Sequence, residues 1–184
     1  PQSSLVKDVL NLYHIGESHS LSYAHQLITI EGKSYKVKPK IILGAKAWHL
    51  GSRGDNSYKS YFTELCYHIP SGSKVFLSFG EIDCRQEEGI LAHCSKYNKP
   101  IECVVEQTVR NYVNFISRSA VAQKCRLYFL GIPAPVISVD DKLTISDVDR
   151  GTIYDIRSFN KALQYYATLS GGKYVDIYSF TSNE

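Results

Sequence analysis

No methionine occurs anywhere in the 184 residues, and there is a single tryptophan. With Pro1 as its first residue, the sequence reads as a processed chain or a piece of a longer one. No apolar run approaches the roughly 20 residues of a membrane-spanning helix, and no secretory leader pattern opens the chain. A dominant charge is also lacking. The 21 basic and 18 acidic side chains leave a net charge of +3, with no Lys/Arg block, which argues against nucleic acid as a partner. Neither G-x-G-x-x-G nor G-x-x-x-x-G-K-[ST] occurs, so a nucleotide-binding domain is disfavoured and no cofactor is expected. Internal repeats and low-complexity linkers are absent. A chain of this length with 43% apolar residues suits one domain, 1–184, which buries roughly two thirds of its surface without staples.

The five cysteines, Cys66, Cys84, Cys94, Cys103 and Cys125, are odd in number and cannot all pair within one chain. A reduced, cytoplasmic setting is the simpler reading. His93-Cys94 lies between Cys84 and Cys103, but no C-x-x-C accompanies it, so ordinary thiols are favoured over zinc and no metal is expected.

Short β-rich runs alternate with helical stripes. The runs are Val9–Ile15, Lys40–Leu43, Val75–Phe79, Arg126–Leu130 and Tyr174–Tyr178, without strict polar alternation, as in strands buried on both faces. One stripe holds Tyr58, Tyr61, Phe62, Leu65, Cys66 and Ile69, with Asp55 and Asn56 placed to cap it. Val105, Val109, Tyr112, Val113 and Ile116 form the longest. Phe159, Ala162, Leu163 and Tyr166 form another, capped by Ser158 and stopped by Gly171-Gly172. Leu21, Ala24, His25 and Ile28 suggest a shorter helix. The alternation predicts an α/β fold: a three-layer, doubly wound parallel sheet of about five strands. A small β-hairpin insertion, turning at Glu31–Ser34, lies beside the second strand. Gln86–Pro100 and the Asp-rich Val136–Arg157 read as polar insertions, the second as a solvated loop rather than a calcium site.

Ligands of an open α/β sheet bind outside the carboxyl ends of its strands, where the strand order reverses. The first strand runs into Gly16-Glu17-Ser18-His19-Ser20, the second into Gly44-Ala45-Lys46-Ala47-Trp48-His49, and the third into Gly80-Glu81-Ile82-Asp83-Cys84-Arg85. The fourth runs into Gly131-Ile132-Pro133, a rigid rim. Ser, His, Glu, Asp and Arg concentrate on the first and third turns, which a 2-1-3-4-5 sheet makes neighbours. Asp83 and Arg85 read either as pocket residues or as an ion pair holding the third loop, and His49 beside Trp48 as pocket lining or a packed pair. For Ser18 the bland reading is a turn serine capping the segment that follows.

The first block resembles the G-D-S block of SGNH (GDSL-type) hydrolases, and Gly80–Arg85 resembles a variant of their G-x-N-D block found in some bacterial members. The resemblance runs from about Val9 to Tyr178. It implies a flavodoxin-like sheet and ester hydrolysis, of acyl or acetyl esters on a small molecule or carbohydrate. Ser18 matches the nucleophile and Gly44 the second-block glycine, with Gly51 as its alternative; His19, Glu81, Asp83 and Arg85 fall in the oxyanion or pocket region. Three departures stand out. Glu17 replaces Asp. Ile82 replaces the oxyanion Asn, with Arg85 or His19 as conceivable substitutes. No D-x-x-H follows the last strand, and all six histidines precede residue 94, so the resemblance implies a catalytic His beyond Glu184. The alternative is a non-catalytic binding or accessory domain on the same fold.

Overall fold

The strands are apolar on both faces, so each face needs cover, and this sets the architecture. The computed structural model describes residues 9–136 and 147–182. Six strands form one sheet in the order β2-β3-β1-β4-β5-β6. β1 (Leu10–Gly16), β3 (Lys33–Ile41), β4 (Lys74–Ser78), β5 (Arg126–Leu130) and β6 (Lys173–Val175) run parallel. β2 (Leu27–Ile30) pairs antiparallel with β3 at one edge. Without β2, the order is the expected flavodoxin-like 2-1-3-4-5. Gly16 stands level with Ile41 on one side and Ser78 on the other, so the loops after β1, β3 and β4 leave the sheet together.

Tyr13, Ile15, Val75, Leu77 and Phe129 point to one face, where α1 (Ala47–Gly51), α2 (Ser57–Tyr67), α3 (Ile90–Tyr97), α4 (Ile101–Arg118), α5 (Ala120–Lys124) and α6 (Asp147–Leu169) all contribute to one core. Phe62, Phe129 and Phe159 are fully buried there, each burial stabilising by about 1.5–3 kcal/mol. The opposite face holds a smaller cluster of Leu12, Tyr35 and Val37, with Tyr23, Ile28, Ile30 and Phe76 against it. A 3-10 turn, Ser18–Leu21, packs against β1, β3 and β4. Glu31, in the hairpin turn, accepts from Lys74 Nζ at 2.7 Å and Lys173 Nζ at 3.0 Å, which curls the hairpin toward the far strands.

Several expectations from the sequence are corrected. The hairpin does not lie beside the second strand; its second arm is that strand, a continuous Lys33–Ile41. Pro39 is tolerated because β2 ends its pairing at Lys36, leaving the outer edge free where Pro lacks a donor. The last strand stops at Val175, since the Asp176 carboxylate accepts from Ser179 N and Oγ and turns the chain into α7 (Tyr178–Thr181). The helix expected around Leu21–Ile28 is only the 3-10 turn, because His25 takes a left-handed φ of 62° and Ile28 joins β2. Asn56, rather than Asp55, caps α2 by accepting from Lys59 N. Ser158 lies inside α6, which begins well upstream, while Gly171, at φ 79°, follows its end as expected.

The two supposed insertions are structured as well. Gln86–Pro100 contains α3, whose Ile90 and Cys94 reach the core one turn apart. Residues 147–157 belong to α6, and Asp155 there is wholly buried rather than solvated. Asp140 and Asp141 lie outside the described residues. All five thiols are free; Cys66, Cys84 and Cys94 are buried and Cys103 is exposed. Among the described residues no helix is long and apolar enough to cross a membrane.

Candidate functional site

Two residues set the first turn. Gly16 fits because a Cβ there would overlap the Ser78 hydroxyl and stand 2.5 Å from the Ser78 carbonyl oxygen. This close approach lets Glu17 N donate to that carbonyl at 3.3 Å and starts the 3-10 turn at Ser18. Glu17, not Ser18, caps the turn. Its carboxylate is buried and accepts three times: Oε2 from Ser18 Oγ at 2.8 Å and from His19 N at 3.1 Å, and Oε1 from the His19 ring at 2.7 Å. Ser18 and His19 do not meet each other. They meet on the two oxygens of one carboxylate.

The charges follow from this arrangement. Burial alone would raise the Glu17 pKa, but the bonds from His19 and Ser18 outweigh it and hold the carboxyl below its usual range. The Glu17 bond in turn raises His19 above the ordinary imidazole value, against partial desolvation. Beneath the turn, His14 is buried with Nε2 2.9 Å from Ser78 Oγ, and burial pushes its pKa down to about 4 despite the nearby Glu17 charge.

The third loop contributes Glu81 and Arg85. They form a two-pronged pair, with Arg85 Nε 3.1 Å from both Glu81 oxygens and Nη2 2.9 Å from Oε2. Of the two readings of Asp83 and Arg85, the ion pair is not formed; Arg85 goes to Glu81, four residues before it. Asp83 is buried and accepts from Ala47 N at 2.7 Å and Trp48 N at 3.0 Å, tying the third loop to the start of α1. Burial pushes its pKa up to about 6, opposed by those two donors. Ile82 is buried and apolar and offers no donor where the resembled family places Asn. Gly44 sits in the turn after β3 at φ 67°, three residues before Ala47. Gly51 packs against α4, where a Cβ would come 2.9 Å from Tyr112 N.

One donor atom each from Glu17, His19 and Glu81 lie within 4.8 Å of one another, a spacing a small cation could use. Both carboxylates already have protein partners, Ser18 and His19 for one and Arg85 for the other. Among the described residues the cysteines form no such group. Of the six residues selected from sequence, Ser18, His19, Glu81 and Arg85 thus gather around Glu17, and Asp83 anchors the neighbouring loop. Gly44 makes no side-chain contribution.

Sequence reasoning treated Glu17 as a mild substitution and missed it as the hub. The signal was its extra methylene beside two donors, Ser18 and His19. Trp48 and His49, read as pocket lining or a packed pair, border a cavity of about 280 Å3 beside the third loop together with Asp83, Glu88 and His93; of these only Glu88 and His93 were not read as pocket residues in the sequence. At the fourth loop, Asn160 clamps the rim: Oδ1 accepts from Ile132 N at 2.8 Å and Nδ2 donates to Ile132 O at 2.9 Å.

No protein-family model and no curated protein sequence matches the chain. Solved structures do. A carbohydrate acetylesterase from Sinorhizobium meliloti is 12% identical, with TM-score 0.53 over 91% of this chain and 83% of its own. An acetyl-xylooligosaccharide esterase from Geobacillus stearothermophilus is 13% identical, with TM-score 0.55 over 94% of this chain and 79% of its own. The aryl esterase of M. smegmatis is 12% identical, with TM-score 0.53 over 91% and 84%. At such identities what is shared is the fold.

Proposed function

We propose that the protein is a serine ester hydrolase of the SGNH type, acting on acyl or acetyl esters of small molecules or carbohydrates, with Ser18 as its nucleophile. The observation that carries this reading is the Ser18 hydroxyl at the carboxyl end of β1, held 2.8 Å from a buried carboxylate that also holds the His19 ring at 2.7 Å. Activity on esters in three proteins of this fold supports it. In this reading Glu17 fixes the Ser18 rotamer and, through its bond to the ring, raises the pKa of His19. Ser18 Oγ attacks the acyl carbon, its proton passing to the base and on to the departing alcohol, and water then hydrolyses the acyl-serine; backbone N–H groups of Ser18 and Gly44 are assigned to the oxyanion. His19 cannot serve as the base through Nδ1, which faces Glu17. The base is assigned to a histidine outside residues 1–184, where the D-x-x-H motif of the resembled hydrolases falls. Ile82 removes one oxyanion donor, a loss worth about 3 kcal/mol of transition-state stabilisation unless Arg85 or His19 supplies charge there.

The buried, apolar Ile82 favours a second reading, a binding or accessory domain on the same fold. The test is hydrolysis of p-nitrophenyl acetate by the natural gene product and by its Ser18→Ala variant. Turnover that disappears with Ser18, at unchanged stability, supports the hydrolase. Ligand binding without turnover in either protein supports the second reading.

A further inference from the structure

The cavity of about 280 Å3 has two walls of different origin. α1, directly after the second loop, supplies Trp48, which is 45% exposed. α3 supplies His93, its ring 5.3 Å from the indole at 43° and 4.7 Å from Tyr97. The rim is polar: Lys46 Nζ donates to Glu88 O at 2.6 Å and lies 3.8 Å from a Glu88 carboxylate oxygen. The floor includes Ile90 and the buried Asp83, which also holds Trp48 by its backbone N–H.

This chemistry selects among ligands. A phosphate needs surplus positive charge, and here the one lysine is matched by Glu88, with Asp83 beneath. A long acyl chain needs a continuous apolar channel, and here charged groups line the rim. A single pyranose ring fits both the volume and the lining. It has a C–H face that lies against an indole and hydroxyls that can bond Lys46, Glu88 and His93. We infer that this cavity is a monosaccharide subsite, with the packed Trp48 and His93 rings as its one aromatic side. It receives the sugar ring on the alcohol side of the ester. That role rests on the reading of Ser18 as nucleophile, whereas binding itself does not.

Trp48 is the one tryptophan of residues 1–184, and the part of the emission change that is lost in Trp48→Phe is the signal of the cavity. The natural gene product is titrated with methyl β-D-glucopyranoside, with inorganic phosphate and octanoate as controls. Fluorophosphonate labelling of Ser18 is measured on the same sample. The expected result is a saturable change in Trp48 emission with the glycoside only, weakened about tenfold or more in His93→Ala and in Glu88→Ala, both folded by circular dichroism. No saturable change up to about 100 mM, well beyond the weak millimolar class, overturns the subsite. So does undiminished binding in both variants, or a response to phosphate or octanoate in place of the glycoside. Labelling of Ser18 without glycoside binding removes the subsite and leaves the hydrolase. Glycoside binding without labelling keeps the subsite and removes the hydrolase.

Discussion

Asp155→Asn should stabilise the protein at neutral pH, although it replaces a fully buried residue. Asp155 lies on the core side of α6, and neither carboxyl oxygen has a hydrogen-bond partner. Burial, reinforced by the charge of Glu102, pushes its pKa up to about 6 from an ordinary 3.8. The folded state therefore holds this proton more tightly than the unfolded chain. The group's contribution is at its best below about pH 4 and is lost as pH rises through about 6. A rise of about two pH units, at 1.36 kcal/mol each, bounds the cost of ionisation at about 3 kcal/mol at pH 7. Asn keeps the shape and cannot ionise. Urea unfolding from about pH 4 to 8 should show the variant more stable by about 1–3 kcal/mol at pH 7, with the difference closing near pH 4. A difference that does not vary with pH, or a variant less stable at pH 7, would refute the reasoning.

Other consequences are as direct. Glu17→Gln should return the His19 titration, followed by NMR of its ring protons, from its raised position toward the ordinary 6.5. In the native protein the stabilisation from this pair is present below that ordinary value and fades as pH rises through the raised one; an unmoved His19 would show that Glu17 is not its partner. Asn160→Ala strips both partners from the buried Ile132 backbone and should cost about 2–5 kcal/mol in chemical denaturation, so a change under about 1 kcal/mol would contradict the clamp. Gly16→Ala forces a methyl into the Ser78 hydroxyl and carbonyl and should destabilise by about 1–3 kcal/mol, read by the same unfolding assay; a neutral result would mean β1 and β4 can part freely.

Much of this was legible in the sequence because the parallel strands and the α4 stripe are strongly patterned. Val105, Val109, Tyr112, Val113 and Ile116 are all buried as their spacing implies. The errors fell where tertiary contacts overrule local pattern. Asp155 looked solvated among other acids, yet α6 extends through that stretch and turns it inward. Arg85 was two residues from Asp83 and four from Glu81, and helical spacing decided for Glu81. Pro39 hid a long strand because an edge position tolerates it. At the site, the strand ends nominated Ser18, His19, Glu81 and Arg85, which the structure gathers around Glu17. The hub role of Glu17 depends on side-chain reach across a turn, which no periodicity encodes.

The central claim is that Ser18 is an activated nucleophile. Its most direct test is mass spectrometry of the natural gene product after reaction with a fluorophosphonate. One adduct per chain is predicted, on the peptide that carries Ser18 and absent from Ser18→Ala. A folded protein left unlabelled, or labelled only at another residue, would contradict the claim.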